Sequence, residues 1–252
     1  ELLPVSQQNE YVRTHPLTRN RVEAMAAGAT QSPYKDKPYP QAWTEQHARM
    51  LSKLKAFISP ERVNWDYDDS DISMPAQQAR AIAAYRQNNV EEALRRIDAL
   101  ITEEPQNPFF KELKGQMLVD FGRIEEALPY YKSAVDMLDS AGLIRIAYAH
   151  ALIESAQPNS GRLDQAIVQL NRARQDEPRS QRLFRLLATA HGRKGEESLA
   201  KLYLAEEALL KQDYNYARVQ AEAALNGLEN NPQARLRAQD ILSYIEVSND
   251  GE

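Results

Sequence analysis

Val90-Glu91-Glu92-Ala93-Leu94-Arg95-Arg96-Ile97 decides the fold of this 252-residue chain. Its apolar positions fall at i, i+3, i+4 and i+7, so Val90, Ala93, Leu94 and Ile97 share one helical face and the charges take the other. The same template returns as Ile124, Ala127, Leu128 and Tyr131, and again as Leu163, Ala166, Ile167 and Leu170. Ala200 opens a fourth, and the steps between the four alanines are 34, 39 and 34 residues. A small side chain held in an apolar stripe marks a crossing of two helices, where a bulkier group would force the pair apart.

A step of 34 residues is the period of the tetratricopeptide type of helix–turn–helix repeat. The expected fold is therefore all-α, a tetratricopeptide-type helical solenoid. The punctuation agrees. Gly122, Gly161 and Gly195 fall between paired helices, where the chain needs a left-handed residue. Pro105 and Pro178 follow second helices and forbid their continuation. First helices carry Gly115 and Leu118 in one repeat and Leu183, Leu186, Leu187 and Ala190 in another. Five extra residues in the third repeat, within residues 155–160, include Gln157-Pro158-Asn159-Ser160, a loop composition that predicts a lengthened turn. After Ala200 the pattern decays. A helix with a face of Ala217, Ala221 and Ala224 begins half a repeat later, and residues 233–247 read as a closing helix, the atypical cap expected of a solenoid. Residues 248–252 are expected to be a disordered tail.

Upstream of residue 76 the chain is less regular. Residues 32–40 hold three prolines among turn-formers and aromatics, which argues for a connector between two short helical stretches. In the second stretch Met50, Leu51, Leu54 and Phe57 predict a one-sided helix. Residues 59–75, bounded by Pro60 and Pro75, contain the acidic run Asp66-Tyr67-Asp68-Asp69-Ser70-Asp71 and read as a second connector. The run resembles the start of a calcium loop, but Asp71 stands where that loop needs Gly and Gln77 where it needs Glu, so a solvated acidic linker is the better reading.

Composition narrows the function. A net charge of −5 gives no reason to expect a nucleic-acid or anionic-membrane partner. No apolar run approaches the ~20 residues of a membrane span. There is no cysteine, which excludes disulfides, thiolate metal sites and a cysteine nucleophile. His15, His47, His150 and His191 form no His-Glu-x-x-His pair, and no phosphate-binding glycine loop or Gly-x-Ser-x-Gly elbow is present. The chain begins with Glu1 and has no signal-like start; a further segment, up to a whole domain, is expected before it.

One motif carries more chemistry. Thr14-His15-Pro16, followed by Arg21 and Val22, resembles the end of the peptidase domain in zinc metallopeptidases of the HtpX, Oma and BepA kind. Met50-Leu51-Ser52-Lys53-Leu54-Lys55-Ala56-Phe57 is similar to a Met-x-x-Lys-Leu-x-x-Phe stretch in their repeat-bearing bacterial members, in which a tetratricopeptide array then comes last. The resemblance implies that residues 1–30 are the tail end of a metallopeptidase domain, residues 31–75 a helix with linkers, and residues 76–252 the repeat array with capping helices. It implies that His15 and Arg21 lie at the rim of a zinc active site supplied by the parent protein, in the periplasm. Because His-Glu-x-x-His is absent here, this chain is expected to hold no zinc or other cofactor and to be inactive alone.

The surface expected to work is the groove lined by first helices. The repeat assigns Glu112, Gln116 and Asp120 to it from one helix, His150 from the next, and Arg182, Arg185, Thr189 and Arg193 from a third. One end is acidic and the other basic, which suits an extended or helical segment of a client polypeptide or an envelope assembly protein. Tyr85, Tyr130, Tyr148 and Tyr203 read as packing residues. Two functions stay open. The array holds clients for a metallopeptidase or assembly machine, or the chain is a non-enzymatic adaptor bridging protein partners.

Overall fold

A computed structural model describes residues 18–138 and 140–249, and every regular element among them is helical. Helix α1 (Thr18–Gln31), α2 (Gln41–Ile58) and the short α3 (Val63–Asp66) come first. Ten longer helices follow: α4 (Met74–Arg86), α5 (Val90–Glu103), α6 (Pro108–Asp120), α7 (Ile124–Asp136), α8 (Gly142–Glu154), α9 (Arg162–Asp176), α10 (Gln181–Arg193), α11 (Glu197–Leu210), α12 (Tyr214–Leu225) and α13 (Pro232–Asn249). The expected all-α, tetratricopeptide-type solenoid is what the structure shows. No described helix is long and apolar enough to cross a membrane.

The chain forms two compact units, residues 1–50 and 51–252, divided inside α2. In the first unit, α1 and the start of α2 flank a connector at residues 32–40 that carries no helix, as the prolines require. The described side chains of α1 from Arg19 onward are all exposed.

The second unit corrects two expectations. The apolar stripe of α2 is only half buried: Leu51 and Phe57 are partly buried, with Phe57 packed on the core, Met50 and Leu54 are more than half exposed, and the fully buried positions are Ser52 and Ala56. Ala56 packs with Val63, Ala79 and Ile82, and its small side chain allows the close approach that a leucine would prevent. Residues 59–75 are also not one connector. Pro60–Arg62 make a single 3-10 turn that runs into α3, whose Val63 anchors it in the core. Helix α4 then starts at Met74, with the Ser73 hydroxyl accepting from the Ala76 N–H, so Pro75 lies in the first turn, where its missing N–H costs nothing. The acidic run is an ordered loop. The Ser70 and Ser73 side chains, and then their backbone N–H groups, hydrogen-bond to the Asp68 and Asp71 carboxylates and hold both below their usual range, and Arg80 donates to the Asp68 and Asp71 carbonyls.

From α4 onward the hairpins repeat. Asn88, Gly122 and Gly195 each turn a first helix into a second with φ of 59°, 75° and 81°. The α8–α9 junction is longer, with Gly161 also left-handed, as the extra residues predict. Asn89, Asn107, Ser180 and Asp213 cap α5, α6, α10 and α12 through their side chains. Ala93, Ala127 and Ala166 are fully buried at the predicted crossings. Gly115 is needed for a close approach: a methyl group there would sit 3.0 Å from the Tyr131 ring. Leu94 packs on both the first and the middle core clusters, so the hairpins share one apolar seam.

The order changes at α11. Ala200 is only partly buried there, unlike the other three alanines. The second-helix signature reappears in α12, whose Ala217, Ala221 and Ala224 are buried at the same offsets as Ala127, Tyr131 and Ala134 in α7. Ala217 follows Ala166 by 51 residues, one and a half periods of 34. Helix α11 therefore serves two neighbours. Tyr203 and Leu210 pack on the middle cluster, while Leu202, Ala205 and Ala208 belong to the last one, closed by Ile241 and Ile245 of α13. Helix α13 runs to Asn249, so Ser248 and Asn249 are helical and not the start of a tail; residues 250–252 lie outside the described residues.

Candidate functional site

Glu112, Gln116 and Asp120 are spaced i, i+4 and i+8 on α6, and helical geometry puts all three on one face. The Tyr85 hydroxyl of α4 donates to the Asp120 carboxylate, and the Gln116 amide donates to the same hydroxyl at 3.3 Å. Burial and the Asp120 carboxylate together push the Tyr85 hydroxyl pKa up, so it stays a donor at any ordinary pH. Tyr85 also packs edge-on against Phe57 and Phe121. The packing role expected of it is real, but its hydroxyl also sets the rotamers of two groove residues. No sequence signal shows that second role.

Glu112 differs from its neighbours. It is half-buried and has no hydrogen bond or ion pair among the described residues. Burial raises its carboxyl pKa, and only the charge of Lys53 opposes this. Burial raises the pKa of the Tyr131 phenol, and the Glu112 and Asp120 carboxylates add to this, while Arg182 works against them. His150 on α8 is held below the usual imidazole range by burial and then by Arg182, with Glu154 and Asp120 opposing. Residues from α6, α8 and α10 thus lie within one another's fields, as the repeat register requires.

The four expected residues of α10 fare differently. Arg182 is exposed and has no hydrogen bond or ion pair among the described residues. The Arg185 guanidinium lies 2.7 Å from the Glu207 carboxylate, a buried group that Lys211 also holds. Thr189 returns its hydroxyl to the Arg185 carbonyl at 2.9 Å. Arg193 donates to the carbonyls of Ile153 and Ala156 and so caps the C-terminus of α8. Of the three arginines, Arg182 is the one with its whole fork free.

Residues 79–141 match the tetratricopeptide repeat family model. That stretch contains most of α4 and the whole of α5, α6 and α7. Among solved structures, the chain is similar to MamA (AMB-1) at 19% identity, with a TM-score of 0.53 over 70% of this chain and 99% of that one. It is also similar to YrrB, described as a TPR protein with an unusual peptide-binding site, at 17% identity and a TM-score of 0.53, covering 77% of this chain and 97% of that one. At these identities the likeness is one of fold. No curated protein sequence matches the chain.

His15, together with Thr14 and Pro16, lies outside the described residues. Arg21 lies on α1 and is exposed. Among the described residues no three histidine, cysteine, aspartate or glutamate side chains come together to hold a metal. A zinc ion therefore has no fit among these described side chains.

Proposed function

We propose that the repeat region is a polypeptide-binding module that holds a client segment across α6, α8 and α10. The observation that carries this is that Glu112 on α6 and Arg182 on α10, opposite charges that both act on the Tyr131 phenol, each lack a hydrogen bond or ion pair among the described residues. A half-buried carboxylate without a hydrogen bond lowers stability, and groups perturbed in this way cluster at functional sites. A basic residue of the client meets Glu112 and Asp120, a carboxylate meets the Arg182 fork, and the neutral His150 between them accepts or donates a hydrogen bond. The test is a peptide array of candidate client segments probed with the full chain. Arg182→Glu should abolish the strongest signals and Arg182→Lys should keep part of them. Unchanged signals with both variants would refute the groove.

The metallopeptidase reading is the finer proposal. We infer that residues 1–30 end a zinc peptidase domain in a periplasmic protein whose repeats hold envelope proteins for proteolysis or assembly. Its support is Thr14-His15-Pro16 with Arg21 and Val22, followed in order by the stretch at residues 50–57 and the array. In that protein His15 and Arg21 stand at the active-site rim. The adaptor reading rests on the repeats, which are also what the comparisons cover. Zinc content and proteolysis of the complete gene product separate the two: stoichiometric zinc with activity supports the peptidase, and neither leaves the adaptor.

A further inference from the structure

Groove and core do not account for all of α10. At 3.6 residues per turn, Arg182, Arg185, Thr189 and Arg193 fall on one side of this helix, and Phe184 and His191 fall on the opposite side. There they line a cleft of about 700 Å³ between α9 and α13, floored by α10 and α11. Its origin is the change of order at α11. Helices α9 and α11 both pack on α10 and hardly meet each other, so the floor between them stays open. A second cleft of about 490 Å³ adjoins it, sharing Leu199 and Asn231, and extends it past the start of α11 to Glu197.

The lining is built for a ligand with an aromatic centre and charged ends. Tyr203 stacks on Phe184 and on His191, with ring centroids 6.4 and 5.2 Å apart and planes 27° and 24° from parallel. Glu206 and Arg237 neutralise each other through two hydrogen bonds of 2.5 and 2.7 Å. That leaves Arg174 as the free cation at the α9 end and Glu197 as the free anion at the other. Both are exposed, with no hydrogen bond or ion pair among the described residues. His191 adds an independent sign. It is buried, its Nδ1 lies 2.5 Å from the Glu196 carboxylate, and its Nε2 is the buried side-chain polar atom without a partner among the described residues.

We propose that this trench is a second peptide-docking site, on the side of α10 away from the groove, for an extended partner segment with an acidic residue at one end, a tyrosine or tryptophan in the middle and a basic residue at the other. The carboxylate pairs with Arg174 and the basic group with Glu197. The aromatic ring lies against Tyr203. The length matches. Helix α11 has 14 residues, roughly 21 Å, which an extended chain covers in about seven.

The test uses the full chain and a fluorescein-labelled peptide of about seven residues, with aspartate first, tyrosine central, lysine last and alanine elsewhere. Saturable binding by anisotropy is expected. Arg174→Glu should weaken it about tenfold, the scale of one charged hydrogen bond. A peptide with lysine at both ends should recover binding to that variant. Arg182→Glu, in the groove, should leave binding unchanged. Arg174 and Glu197 make no hydrogen bond or ion pair among the described residues, so circular dichroism should be that of the parent chain. Absence of binding overturns the proposal, as does indifference to Arg174→Glu or loss with Arg182→Glu alone. Concentration-dependent dimerisation that Arg174→Glu abolishes would assign the trench to a second copy of the chain and overturn it equally.

Discussion

Glu112 is where function and stability pull apart most clearly. Its folded-state pKa is raised by burial. Below the ordinary value of 4.5 the carboxyl is protonated in folded and unfolded chains alike and costs nothing. As pH rises through the raised value, the folded state must hold a partly desolvated charge, and stability is lost. Glu112→Gln should therefore raise the melting temperature at neutral pH, leave it unchanged below pH 4.5, and weaken binding of basic client segments. Arg193 makes the opposite case. Arg193→Ala should cost about 1–3 kcal/mol in chemical denaturation by uncapping α8, with groove binding intact. In the sequence Arg182 and Arg193 look alike, three helical turns apart on one face. What separates them is a pair of carbonyls some forty residues upstream, and no local pattern carries that information. The double duty of Tyr85 was hidden for the same reason.

The helices were more legible than the contacts they make. The 34-residue period, the buried alanines and the left-handed glycines all report local geometry, and local geometry is written locally. Ala127→Leu should overpack the α6–α7 crossing and cost about 1–3 kcal/mol in thermal melts. Asp213→Ala should remove the cap of α12 and cost about 1 kcal/mol. The misread elements are those where tertiary packing overrules the pattern. Met50 and Leu54 match a helical stripe yet face outward, because the contact with α4 selects the small side chain of Ala56. Helix α3 has only four residues, too short for any periodicity to mark it, and it is held by one buried valine.

Over the second unit as a whole, stability is shared between neighbours, as in any stacked array. Helix α13 supplies Ile241 and Ile245 to the last cluster, and each fully buried isoleucine contributes about 1.5–3 kcal/mol. A chain ending before Pro232 should therefore melt at lower temperature and self-associate in sedimentation, through the apolar faces of α11 and α12 that it lays bare. The half-period offset at α11 also gives the array a direction of growth. A duplicated hairpin spliced between α9 and α10 would meet faces shaped like those it came from. The same block placed after α11 would arrive half a period out of phase and would part α11 from the alanine row of α12. The chain carries its own stop, and any lengthening of its binding surface through duplication has to happen on the upstream side of it.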